Sequence, residues 1–212
     1  MSGRTIDVRL APLAVGDLPL GLLSLNQNAE MKKLYQSIID KYYPEGSQLR
    51  GLVEAHSRQV ADLSLEIASR KNFGCNPEFV ENAAMLHDVG VFLTHAPGIY
   101  CNGTEPYLMH GILGARLLRD ISPDLEPYAR VCERHIGVGL TAEEIIGQHL
   151  PIVPVADYLP ETIEEQLVCY ADNFFSKSHI APARSVEQVR SQMKQYGEGS
   201  VARLEAMISL FE

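Results

Sequence analysis

Asn76-Pro77-Glu78-Phe79-Val80-Glu81-Asn82-Ala83-Ala84-Met85-Leu86-His87-Asp88 is the stretch that decides the fold. Asn76 suits a helix N-cap. Pro77 suits the first helical position, where a missing N–H costs nothing. From there Val80, Ala83, Ala84 and His87 recur at three- and four-residue spacing, which is one face of a helix. That face is apolar until it reaches His87, and Asp88 comes next. An unpaired carboxylate taken out of water is costly, so both side chains need partners.

The same period continues on either side. Leu34, Ile38 and Ile39 form a stripe before Tyr43-Pro44-Glu45-Gly46. Leu49, Val53, Val60, Leu63 and Ile67 form another between Ser47 and Lys71. Val89–Tyr107 is rich in Gly and Pro and reads as a long loop joining two helices; loops of that length are usually functional, so it is expected to form a pocket rim. Further helices are predicted from His110 to Asp120 and from Ser122-Pro123 to near Gly137. Thr141 with Glu144 and Thr162 with Glu165 have capping-box spacing. Ser185 with Gln188 opens a C-terminal helix that Gly197-Glu198-Gly199 interrupts. Strand signals are almost absent after residue 30, so the expected class is all-α.

Residues 1–30 differ from the rest. Ile6, Val8 and Leu10 alternate with Asp7 and Arg9, which predicts a short strand, and Gly and Pro break the remainder of the segment. We therefore expect an irregular extension over 1–30 and a domain over 31–212. Arg4 and Arg9 precede the apolar stretch Leu18–Leu25. Asp7, Asp17, Pro12 and Pro19 interrupt that pattern, which argues against a secretory leader.

With 212 residues, 46% hydrophobic and 21% charged, the chain has the make-up of a folded domain with its own core. Its net charge of −9 repels a phosphate backbone, so long nucleic acid is not an expected partner. A small phosphorylated ligand remains open, because a bound cation reverses the local sign. No apolar run reaches membrane-spanning length. The four cysteines carry no CxxC spacing and read as reduced thiols, which places the protein in the cytoplasm. No phosphate-binding loop or dinucleotide fingerprint is present.

The remaining histidines repeat the anomaly of His87. His56 shares a stripe with Val53, Val60 and Leu63. His110 shares one with Leu113, Gly114 and Leu117, and His135 with Tyr128, Val131 and Cys132. Asp172 shares one with Leu167, Val168 and Phe175. Any one of these would pass as a hydrogen-bonded core residue. Six on five helices, with no Arg or Lys on the same faces, are better explained together as a metal site. Four imidazoles and two carboxylates suit iron, manganese, zinc or a similar divalent ion. Six ligands exceed the needs of one ion and suit two ions bridged by a carboxylate.

The order His56, His87-Asp88, His110, His135, Asp172 resembles that of the HD-domain superfamily of metal-dependent phosphohydrolases. So do its surroundings: Glu54-Ala55-His56-Ser57-Arg58, Ala84-Met85-Leu86-His87-Asp88-Val89-Gly90 and Cys169-Tyr170-Ala171-Asp172-Asn173. His87-Asp88-Val89-Gly90 is similar to the subfamily signature H-D-I-G, with Val for Ile. The resemblance covers about 31–212. It implies a helical bundle with the metal site between helices and two divalent ions, iron foremost, with manganese, zinc, nickel, cobalt or magnesium as alternatives. It further implies that His56, His87, Asp88 and Asp172 hold the first ion, that Asp88 bridges, and that His110 and His135 complete the second. His87 and Asp88 would be the catalytic pair.

The implied activity is hydrolysis of a small phosphorylated metabolite or nucleotide by a metal-bridging hydroxide. Two alternatives share the ligand set: a mixed-valent di-iron oxygenase of the same superfamily, and a non-catalytic metal- or nucleotide-binding module. Arg58, Thr94, His95, Thr104 and Lys177 are candidate substrate contacts, the first and last by their nearness in sequence to ligands. His149 and His179 match no ligand position.

Overall fold

The computed structural model describes residues 27–177 and 182–212, with side chains from Tyr35 onward. The strand expected over Ile6–Leu10, the side chain of Leu34 and His179 lie outside the described residues. Nine α-helices are present among those described: α1 (Gln27–Tyr42), α2 (Gln48–Lys71), α3 (Pro77–Leu86), α4 (His110–Ile121), α5 (Glu126–Arg134), α6 (Ala142–Gly147), α7 (Ile163–Asp172), α8 (Val186–Met193) and α9 (Glu198–Phe211). The fold is the helical bundle expected. Helix α1 begins at Gln27, so it crosses the boundary drawn at Met31.

Several helix starts obey the local chemistry closely. The Asn76 side chain accepts from the backbone N–H groups of Glu78 and Phe79, with Pro77 at the first position. Thr141 with Glu144 and Ser185 with Gln188 both close as capping boxes. The third predicted box does not close. Thr162 caps α7, but the buried Glu165 carboxylate turns to the Glu161 N–H (2.7 Å) and to Arg130 Nε (2.7 Å). A charged partner outweighs the reciprocal backbone contact.

Helix α2 lies centrally, against α3 on one side and α7 on another, while α4 and α5 pair closely. Its buried side, Val53, Val60 and Ile67, is the predicted stripe. Tyr35, Ile38 and Ile39 of α1 join the same core as Val53, Ala83, Ala84, Leu118 and Val168. A second cluster packs Leu167 and Tyr170 of α7 against Val189, Leu204 and Phe211 of α8 and α9. Each fully buried Leu, Ile or Phe contributes roughly 1.5–3 kcal/mol.

The segment predicted as an irregular loop over Val89–Tyr107 is ordered instead. Short 3₁₀ turns at Val91–Leu93 and Tyr107–Met109 flank a hairpin of two-residue strands, β1 (His95–Ala96) and β2 (Cys101–Asn102), and a third at Pro97–Ile99 joins them. The buried Thr94 hydroxyl donates to Val91 O at 2.8 Å, and Gly103 lies so close to Leu93 that no Cβ would fit. Such pairing between residues about ten apart leaves no periodic signal. Helix α5 also ends earlier than predicted, at Arg134, because Gly137 and Gly139 take positive φ values of 62° and 81° and turn the chain. No helix among the described residues is long and apolar enough to cross a membrane.

Candidate metal centre

Only one of the six predicted ligands sits inside a helix, namely His56 on α2. His87 caps the end of α3 and Asp88 comes directly after it. His110 is the first residue of α4, His135 caps α5, and Asp172 is the last residue of α7. These element ends therefore meet the middle of α2. The Asp88 turn is held there by the chain itself: Val91 N–H donates to Asp88 O (3.0 Å), and the buried Tyr43 hydroxyl donates to Val89 O (2.9 Å).

Three of the imidazoles are oriented by the same device. His87, His110 and His135 each place Nδ1 on the carbonyl three residues earlier, Ala84 (2.5 Å), Tyr107 (2.7 Å) and Cys132 (2.7 Å). A carbonyl only accepts, so Nδ1 carries the proton and, in the neutral ring, Nε2 is a bare lone pair. All three Nε2 atoms converge with that of His56. His110 Nε2 and His135 Nε2 lie 3.0 Å apart. Two lone pairs at that distance repel unless a cation or a proton lies between or beside them.

Asp88 stands between the two histidine pairs. Its Oδ2 is 3.5 Å from His56 Nε2 and 3.4 Å from His87 Nε2, while its Oδ1 is 3.4 Å from both His110 Nε2 and His135 Nε2. Asp172 Oδ1 is 2.9 Å from His56 Nε2 and 3.5 Å from His87 Nε2. Atoms about 2.1 Å from a common ion, at tetrahedral to octahedral angles, stand roughly 3.0–3.4 Å from one another. The spacings here, 2.9–3.5 Å, lie within about 0.1 Å of that range. His56, His87 and Asp172, and separately His87, Asp88 and His135, are spaced to hold an ion. His56 Nε2, His87 Nε2 and both Asp88 oxygens are buried without a well-formed hydrogen bond. The donor set thus fits divalent metal.

The imidazoles differ in their electrostatics, and the two buried carboxylates are answered by His87 and Lys177. Burial pushes His110 down to about 3, so its ring is neutral. Burial also lowers His56. Burial would lower His87 too, but Asp88 and Asp172 beside it prevail and raise it. The Asp88 carboxyl is held far below its usual range: burial opposes this, and His87 and Lys177 outweigh burial. A metal at His87 Nε2 must therefore displace a proton that the neighbouring carboxylates favour. Zinc added at pH 6.5 in weak buffer should release protons, and His87→Gln should reduce that release. Equal release from both proteins would contradict this.

Lys177 departs from the sequence reading, which placed no cation on the ligand faces. It reaches in from the irregular segment after α7, with Nζ 3.2 Å from Asp88 Oδ2 and 3.4 Å from Asp172 Oδ1. The other proposed substrate contacts are elsewhere. Arg58 pairs with Glu81 (2.9 Å) and Asp62 (3.4 Å). Thr94 is buried in its own turn, and His95 and Thr104 are exposed.

A cavity of about 550 Å³ opens onto His110, His135, Asp172 and Lys177. Arg58, Thr94, His95 and Thr104 do not line it. The loop after α3 supplies Ala96, Gly98, Ile99, Tyr107 and Leu108, in keeping with its expected place at the rim. The turn Ile136–Leu140 forms another wall, anchored by Arg203 on Val138 O (3.2 Å) and Gly139 O (3.1 Å). Asn173 ties that turn to α7 by donating to Gly137 O (2.6 Å) and Cys169 O (2.8 Å). Sequence reasoning missed Tyr107, whose ring stacks on His110 at 4.8 Å between centroids, and Arg184, which lines the cavity while donating to Asn173 O (3.1 Å) and Phe175 O (2.9 Å). The pairing Asp172-Asn173 and the spacing Gly137-x-Gly139 were the available signals for the second wall.

The chain belongs to the HD domain family, whose model matches residues 53–176. That span carries every predicted ligand, and His87-Asp88 is the pair that gives the family its name. HD domains are typically metal-dependent phosphohydrolases. An uncharacterized protein of Methanocaldococcus jannaschii is 39% identical over 124 residues, 57% of this chain and 64% of that protein. Two proteins named tRNA (cytidine(56)-2′-O)-methyltransferase also match. The one from Thermoplasma volcanium is 30% identical over 82% of this chain and 46% of its own length, and the one from Picrophilus torridus is 39% identical over 71% and 45%. The chain thus spans less than two thirds of each of these relatives. No solved structure matches it.

Proposed function

We propose that this chain is a metal-dependent phosphohydrolase for a small phosphorylated metabolite or nucleotide, with two divalent ions. His56, His87, Asp88 and Asp172 hold the first, and Asp88, His110 and His135 the second. The observation that carries this reading is Asp88 itself, a fully buried carboxylate with one oxygen facing each histidine pair. When bound, such a pair acidifies a water and polarises a phosphoryl oxygen. The chain's own residues fix three of the four imidazoles through backbone-bonded Nδ1 atoms, and the cavity gives substrate a way to the centre.

The cavity volume falls in the range of small-molecule sites, and among the described residues its lining outside the ligand cluster holds two cations, Lys177 and Arg184, and no carboxylate. An anionic ligand is favoured there despite the net charge of −9. The match over 53–176 leaves out α1, α8 and α9, yet these share cores with it, and we take the domain to extend over 31–212. The methyltransferase name of two relatives describes proteins about twice as long, and four imidazoles around a carboxylate suit metal rather than methyl transfer.

The test combines elemental analysis with a panel of nucleotides, dinucleoside polyphosphates and phosphate monoesters. We expect about two first-row ions per chain, phosphate release abolished by chelator, and one ion lost in the His110→Ala, His135→Ala double variant. Full occupancy in that variant would refute the second site. Substrate-dependent O₂ consumption by iron-loaded protein, without phosphate release, would favour the oxygenase.

A further inference from the structure

Lys177 and a metal ion would need the same two oxygens. Its ammonium lies 3.2 Å from Asp88 Oδ2 and 3.4 Å from Asp172 Oδ1, the oxygens that also face His56 Nε2 and His87 Nε2. The side chain is only 15% exposed, and its exposed part lines the cavity. An ion bound to those oxygens at about 2.1 Å would stand close to the ammonium, and like charges at such range repel strongly in a buried site. Neither imidazole can move aside: His87 is tied to Ala84 O, and His56 lies inside α2. Lys177 can, because it sits beyond α7 on an irregular segment and has the cavity beside it.

We propose that Lys177 is a built-in counter-ion that fills the cation position of the metal-free site and is displaced into the cavity by metal, where it meets the substrate's phosphoryl oxygens. The inference rests on the metal-site reading proposed for this chain. In the metal-free protein Lys177 shares with His87 the task of balancing two buried carboxylates. In the loaded protein the same ammonium supplies positive charge on the open side of the centre. Apparent metal affinity is then the intrinsic affinity multiplied by the fraction of molecules in which Lys177 has vacated the site.

Calorimetric titration of the whole chain with manganese and with zinc, in wild type and Lys177→Met, tests this. The variant should bind the first ion about tenfold or more tighter, since the competing occupant is gone. Its metal-free form should melt at a lower temperature than wild type, and the difference should shrink once metal is added. A Lys177 that contacts only phosphate would leave metal affinity unchanged, and unchanged or weaker binding overturns the proposal. If metal-free Lys177→Met does not fold, amine labelling of the wild type read by mass spectrometry decides instead. Lys177 should label slowly without metal, faster with manganese, and slowly again when inorganic phosphate is added. Labelling indifferent to manganese would overturn the displacement. Absence of stoichiometric metal binding in both proteins would bring down the metal-site reading, and this inference with it.

Discussion

Asp88→Asn is expected to abolish phosphate release, by about 10³-fold or more, while leaving the fold intact. The substitution keeps the volume of the side chain and removes its charge. Each Asp88 oxygen faces a different histidine pair at 3.4–3.5 Å, so both ion positions lose their anionic ligand at once. Elemental analysis should find both ions depleted. Asp172→Asn should deplete the first more than the second, because of the four histidines Asp172 Oδ1 approaches only His56 and His87. The fold should survive because the Asp88 turn is held by its backbone carbonyl and by Tyr43, neither of which involves the carboxylate. Its thermal midpoint without metal should fall, because buried Lys177 and His87 lose a charged partner, but unfolding should stay cooperative. Retention of both ions by Asp88→Asn would defeat the bridging assignment. Collapse of the metal-free fold would show that the carboxylate is structural.

How legible each residue is in the sequence depends on where it lies relative to regular structure. The six candidate ligands stand out because apolar periodicity exposes a polar residue that breaks it, and that signal survives at a helix end. His87 and His135 sit just past the last turns of α3 and α5, where they still project from the faces of Val80 and Val131. Their orientation is not legible, because a bond from Nδ1 to the carbonyl three residues back depends on how the helix terminates. Lys177 is legible only as a nearby charge. It lies in no helix, so no face can be assigned to it, and its placement between two carboxylates depends on the packing of α2, α3 and α7 together. Arg58 shows the converse. It stands two positions from His56, which on a helix turns it away from the ligand face, to Glu81 and Asp62.

Gly90 closes the segment His87-Asp88-Val89-Gly90, and packing gives it a physical role. Its φ is −86°, so no special backbone conformation requires glycine there. Space does. A Cβ on Gly90 would lie 2.3 Å from both Gly114 N and His110 O and 2.8 Å from Gly114 Cα, all backbone atoms of α4. No rotamer change relieves a clash with backbone, so α4 must move away from the His87-Asp88 turn. Gly90→Ala should therefore cost about 3 kcal/mol, at the upper end of overpacking penalties. For a chain of this size that lowers the melting temperature by roughly 6–12 °C.

His110 opens α4, so its ring should leave the cluster along with the helix, and the second ion should be lost well below the melting transition. Gly114→Ala faces the same contact from the other side but meets Gly90 N at 3.1 Å and the Val89 side chain at 3.2 Å, so it should cost only about 1 kcal/mol. Gly51→Ala, inside α2 with nothing within 4 Å of the added carbon, should stabilise by about 0.5–1 kcal/mol through helix propensity alone. The order Gly51, Gly114, Gly90 in thermal denaturation separates backbone contact from a general effect of removing glycine. A Gly90→Ala protein as stable as Gly51→Ala, with its second ion in place, would mean that α4 does not rest on the His87-Asp88 turn as the structure has it.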